Sequence, residues 1–173
     1  MCIRDSHELL EKGDLSSATA SALPAKIKKI EKERDVENAL WMEHFKAFYS
    51  FSEVLFSYDT LRKEALWNND GKNCFLNTQM QIDPSLSLNG RSYLMLYKGN
   101  ISEGSGAEAV IFRDANFNQV EKPFPYYAKT TGLMYVFNRL FKSSIADDNN
   151  IARVVRKIDK KVKKYYKKAG RPF

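Results

Sequence analysis

The sequence predicts a single α+β domain. An antiparallel sheet of about four strands is expected to pack against an aromatic-rich helix, and two helices follow, the last one basic and amphipathic. Three observations predict this fold: aromatic residues at helical spacing early in the chain, strand-like patterns in the middle, and a lysine-rich C-terminal segment with an apolar stripe. A chain of 173 residues, 43% of them hydrophobic, is long enough to bury one core.

The first 23 residues are expected to lie outside the folded body. The segment Met1–Ser6 resembles the translation of a sequencing adaptor, which predicts a non-native start. The segment Gly13–Leu23 is small and polar, as is typical of a flexible linker or a frayed helix. Residues 24–150 are then expected to form the α+β body, and residues 151–173 a basic helix of the same domain.

A long helix is predicted from Pro24, because the fixed φ of proline suits a first helical turn. The pattern changes at Asp35, and the second half carries the stronger apolar stripe. The stripe residues recur at spacings of three and four: Ile27, Ile30, Leu40, Trp41, Phe45, Phe48, Ser52 and Leu55. Seven aromatic residues occur between Trp41 and Tyr58, a density that at helical spacing is typical of a core and not of a ligand site. We therefore predict a core helix centred on Phe48.

Four strands are predicted between the turn at Asn68–Gly71 and residue 121. The predicted strands are Cys74–Ile82, Tyr93–Tyr97, Ala109–Phe112 and Gln119–Glu121. The first alternates with a period of two, which indicates one polar face. The second and third are apolar on both faces, which predicts central positions in the sheet. The turn at Asp114–Asn118 makes the fourth a hairpin partner at an edge.

Two helices are predicted after the extended aromatic-proline segment Pro123–Tyr127. The first is capped by Thr130 or Thr131, and its apolar residues are Leu133, Met134, Val136, Phe137, Leu140 and Phe141. The second is the basic helix, for which Asp147 or Asp148 is the predicted N-cap. Acid at the start and lysines toward the end agree with the helix dipole.

The basic helix carries the whole positive charge excess of the chain. Residues 151–173 hold 10 Lys/Arg and one acid, a net charge of +9, whereas the rest of the chain sums to −2. The predicted packing stripe comprises Ile151, Val154, Val155, Ile158, Val162, Tyr165, Tyr166 and Ala169. The basic residues predicted to bind a polyanion are Arg153, Arg156, Lys157, Lys160, Lys161, Lys163, Lys164, Lys167 and Lys168.

This pattern predicts a non-enzymatic binding or structural protein that contacts a polyanion, with nucleic acid as the favoured partner. Two alternatives stay open. The lysines can simply solvate a docked helix, or the helix can belong to an assembly or membrane-proximal accessory protein that touches anionic lipid or an acidic partner chain. Because Tyr165 and Tyr166 lie on the packing stripe and not among the lysines, contacts are expected with phosphates and not with bases.

Catalytic, metal and cofactor motifs are not evident in the sequence. His44 is predicted to be a helix-surface imidazole and Cys74 a small buried residue on a strand. A nucleophile pair of these two is the residual enzymatic alternative, which a polar pocket at His44, Cys74 or Asp59 would favour. The loop Gly99–Gly106 lacks the Gly-Lys-Ser/Thr of a P-loop and opens no helix. No apolar run reaches the ~18 residues that a membrane span requires.

Overall fold

The computed structural model describes residues 17–58, 70–101, 107–130 and 143–170. These residues form two helices and three strands: α1 (Ser17–Phe48), β1 (Met95–Asn100), β2 (Glu108–Arg113), β3 (Tyr127–Lys129) and α2 (Ser143–Lys168). The predicted α+β class is therefore confirmed. The chain divides into two compact units, Met1–Leu40 and Trp41–Phe173, and the boundary falls within α1. The second unit contains the sheet and α2.

Helix α1 is longer at its start and shorter at its end than the pattern predicts. It begins at Ser17, inside the segment expected to be a linker or a frayed helix, so Pro24 lies within the helix and not in its first turn. It ends at Phe48, and Ser52 and Leu55 are therefore not helical. Just beyond this end, the Ser50 backbone N–H donates to the Asp159 carboxylate of α2, at 3.0 Å.

The three strands form one antiparallel sheet in the order β1-β2-β3. In the register, Met95 pairs with Arg113 and Val110 with Ala128. Strand β2 is central and its four middle residues are buried, as predicted for Ala109–Phe112. The strand predicted at Tyr93–Tyr97 begins two residues later and is at the edge of this sheet; its Tyr97 is 47% exposed, so a central position was wrong.

The segment predicted as the first strand, Cys74–Ile82, folds back on itself and forms only isolated bridges. The Asn77 side-chain carbonyl accepts hydrogen bonds from the backbone N–H groups of Gln79 and Gln81, which closes a tight turn. Met80 has a φ of 59°, a left-handed conformation that interrupts an extended ladder. Alternating residues thus produce a looped segment instead of a strand.

The fourth predicted strand, Gln119–Glu121, also reduces to a single bridge between Arg113 and Gln119. The turn before it is present, because the Asp114 carboxylate accepts from the backbone N–H groups of Asn116 and Asn118. The third strand of the sheet comes instead from the aromatic-proline segment, as Tyr127–Lys129. Apart from Thr130, the helix predicted to follow that segment lies outside the described residues.

Helix α2 begins at Ser143, several residues before the predicted cap, so Asp148 lies inside the helix and is not its N-cap. Its apolar residues are buried as the stripe predicts: Ile151, Val154, Val155, Ile158 and Val162. Val154, Val155 and Ile158 have no exposed surface at all. Toward the C-terminal end of α2 the predicted stripe is less buried, since Tyr165 and Tyr166 are half-buried and Ala169 is exposed.

Ile158→Asp is expected to destabilise the protein by about 2 kcal/mol or more, because it places a carboxylate at a fully buried position. Chemical denaturation measures the loss. Ala169→Asp, which adds the same carboxylate at an exposed position beyond the helix, is the matched control and should leave stability nearly unchanged. Equal stability of the two variants would contradict docking of α2 by this stripe.

Phe45, and not Phe48, is the buried aromatic residue of α1. Phe45 is 6% exposed and its ring lies 5.9 Å from that of Phe56, whereas Phe48 is half-buried. We therefore expect Phe45→Ala to cost about 3 to 5 kcal/mol and Phe48→Ala distinctly less. Urea unfolding of both variants tests the order, and a larger loss for Phe48→Ala would refute this placement of the core face.

Candidate polyanion-binding surface

Four of the nine predicted basic residues hold α2 in place. The Arg153 guanidinium donates to the Thr130 carbonyl at 3.1 Å and to the Asn150 side-chain carbonyl at 2.6 Å. The Lys161 ammonium donates to the Tyr127 carbonyl at 2.8 Å and lies 5.4 Å from the centre of the Tyr127 ring. Both residues thus fasten the helix to the strand β3 and the residue that follows it.

The other two fasten α2 to the end of α1. The Lys163 ammonium pairs with Asp159 at 2.8 Å and donates to the Ser50 hydroxyl at 2.7 Å. The Arg156 guanidinium lies over the Phe48 ring, 3.9 Å from its centre, in cation–π geometry. The predicted role of these two residues in binding a polyanion competes with contacts that they already make.

The remaining five lysines are the available charges of the helix. Lys160, Lys164, Lys167 and Lys168 are exposed, and Lys157 is half-exposed. The only acid of residues 151–173, Asp159, is engaged with Lys163 and Ser50. None of the five forms an ion pair with a carboxylate of the described part of the chain. Their field is therefore directed at solvent.

A groove runs beside the C-terminal end of α2. One wall is formed by Pro123 and Pro125, and the groove has a volume of roughly 460 Å³. The helix wall consists of Lys161, Lys164, Tyr165, Lys168 and Ala169. The three lysines are spaced i, i+3 and i+7, which places them along one side of the helix. The groove combines apolar walls with positive charge.

Aromatic contacts fix the two walls of the groove relative to each other. The buried Phe124, between the two wall prolines, meets the Tyr165 ring edge to face at 5.0 Å and the Phe112 ring of β2 at 5.3 Å. Tyr165 in turn lies 5.4 Å from Tyr166. Tyr165 packs against the body as the stripe predicts, and it also lines the same groove as Lys161, Lys164 and Lys168.

The pKa of Lys161 is lowered, first because partial burial disfavours the charged ammonium and second because Lys157 repels it. Lys157 and Lys161 are one helical turn apart, so their repulsion is built into the helix. A negative charge near Lys161 would offset the repulsion from Lys157.

The prediction that His44 lies at the helix surface is wrong, because His44 is buried. Its Nε2 is 2.7 Å from the Asp148 carboxylate of α2, and its ring stacks on Phe48 with a centroid distance of 5.6 Å. The buried imidazole thus joins the two helices. Sequence reasoning missed the pair because 104 positions separate its members.

Cys74 is buried as predicted, but in a loop and not on a strand. It packs with Phe75 and Leu88, and its thiol donates to the Lys72 carbonyl at 3.4 Å. Burial raises the pKa of Cys74, which keeps the thiol protonated and weakly nucleophilic. Asp59 lies outside the described residues. No three His, Cys, Asp or Glu side chains in the described ranges are grouped to hold a metal ion.

Comparison of the chain with protein-family models, curated proteins and solved structures yields no significant match. Neither helix of the described residues is long and apolar enough to cross a membrane.

Asp159→Ala is expected to destabilise the second unit by about 1 to 3 kcal/mol, because one largely buried carboxylate both accepts from Ser50 and pairs with Lys163. Differential scanning calorimetry measures the change. Asp35→Ala is the control, since in the described part of the chain the half-exposed Asp35 carboxylate pairs with its exposed neighbour Arg34, and its loss should shift stability by less than about 0.5 kcal/mol. Indistinguishable melting curves would exclude a fastening role for Asp159.

Proposed function

We propose that this protein binds a polyanion, with nucleic acid as the favoured partner, through the basic amphipathic helix α2. The observation that carries the proposal is the set of exposed lysines at 160, 164, 167 and 168, for which the described residues supply no carboxylate partner. Phosphate groups would neutralise these four lysines, and the release of condensed counterions favours such binding.

The fastening of α2 supports a preformed binding surface. Ile158 and its neighbours are buried, and Arg153 and Lys163 cross-link the helix to the body, so the exposed lysines project from a fixed scaffold. A ligand then does not have to order the helix, which lowers the entropic cost of association. Binding of this kind is non-specific in sequence, because phosphate contacts position a ligand without reading its bases.

Burial of the apolar stripe weighs against the membrane alternative. An interfacial helix inserts its apolar face below the lipid headgroups. In α2 that face includes Val154, Val155 and Ile158, which are fully covered by the body. Contact with anionic lipid would be limited to surface adsorption, and contact with an acidic partner chain would use the same lysines. Binding to anionic vesicles or to polyglutamate would reveal either contact.

The affinity for duplex DNA is expected to fall steeply with salt, with a log–log slope near −0.9 for each phosphate contacted. Changing Lys160, Lys164 and Lys167 together to Gln should flatten the slope by about two to three units. The fold should be retained, because all three residues are exposed. Fluorescence anisotropy with a labelled duplex, titrated with salt, measures both slopes.

The matched control changes Lys26, Lys28 and Lys32 to Gln, which removes three charges from α1 that are also exposed. This control should leave the slope close to that of the wild type. The same variants are tested with phosphatidylserine vesicles and with polyglutamate. No binding to nucleic acid at low salt, or an equal effect of the two triple substitutions, would overturn the proposal, whereas stronger binding to vesicles or polyglutamate would support the accessory-protein alternative.

A further inference from the structure

We infer that the groove beside the C-terminal end of α2 takes a single-stranded stretch of nucleic acid, with phosphates at Lys164 and Lys168 and a base against Tyr165. This inference rests on the proposed function and deepens it, because it assigns the preferred form of the polyanion and a residue that contacts bases. The lysines of α2 alone would bind any polyanion, but the groove also has apolar walls.

The charge in the groove matches a phosphate backbone. Lys161, Lys164 and Lys168 line it, and the residues that form its walls include no acid. Lys161 is turned toward the Tyr127 carbonyl, so Lys164 and Lys168 present the accessible ammonium groups. From Lys164 to Lys168 the helix rises by roughly 6 Å at about 1.5 Å per residue, which corresponds to about two nucleotides at ~3.4 Å each along a stacked strand.

The apolar walls select the form of the nucleic acid. Pro123, Pro125 and Tyr165 offer flat, weakly polar surfaces beside the lysines. A duplex presents its phosphates but encloses its base faces, so it cannot use these surfaces. A single strand exposes both phosphates and bases, and aromatic stacking tolerates any base. An acidic peptide would satisfy the charge and leave the walls unused.

Tyr165 is held ready for such a contact. Its ring is braced by Phe124 at 5.0 Å and by Tyr166 at 5.4 Å, and Phe124 is itself buried against β2. A braced aromatic ring loses little conformational freedom when a base stacks on it. The groove volume of roughly 460 Å³ is within the range of small-molecule sites.

The first experiment separates bases from phosphates without changing the protein. A labelled twelve-nucleotide oligothymidine and an abasic strand of equal length and charge are titrated with the wild type at low salt. The oligothymidine should bind about tenfold more tightly, in keeping with the worth of one stacked base. Equal affinities would overturn the inference, and the proposed function would still stand if both strands bind with a steep salt dependence. No binding of either strand, together with no duplex binding, would overturn both.

The second experiment locates the contact with variants. Tyr165→Leu should remove the preference for oligothymidine over the abasic strand, and Tyr165→Phe should retain it, because only the first loses the ring. Ala169→Glu places a carboxylate at the groove, and Ala47→Glu adds the same charge at an exposed position of α1 outside it. Ala169→Glu should weaken binding several-fold more than Ala47→Glu. Equal effects of the two, or polyglutamate binding as tight as that of oligothymidine, would overturn the inference.

Discussion

The burial of the Val154, Val155 and Ile158 side chains is the interaction on which the rest of this structure depends. Each fully buried aliphatic side chain contributes about 1.5 to 3 kcal/mol, whereas a like-charge lysine pair one turn apart costs only a few tenths of a kcal/mol. The stripe therefore outweighs the repulsion among the lysines of α2. It also fixes which lysines face outward and brings Tyr165 beside the proline wall of the groove.

Local periodicity correctly predicted the elements that need only an apolar surface to pack against, whichever residues form that surface. The spacing of Ile151, Val155 and Ile158 predicts a buried helix face, and that face is buried. The apolar run Ala109–Phe112 predicts a central strand, and β2 is central. Both predictions need only the chain's own pattern, because a hydrophobic face packs in much the same way whichever residues cover it.

Features that depend on one particular distant or polar partner were not predictable in this way. Cys74–Ile82 alternates like a strand, but the Asn77 side chain closes a turn that the alternation does not reveal. His44 is buried, and its partner Asp148 comes from another helix. The groove forms only when Pro125 comes beside Tyr165, and a helical wheel contains no information about such a wall.

Contacts join α2 to the end of α1 and to Ser50, which lies just beyond that end. His44 contacts Asp148, and Ser50 contacts both Asp159 and Lys163. The contacts with α2 therefore occur at three positions along it. We expect segments joined in this way to open together, with amide protons that exchange with solvent at similar rates. Occupancy of the groove would slow exchange at residues 44–50 as well as along α2. The end of α1 would thus report remotely on a ligand bound to α2.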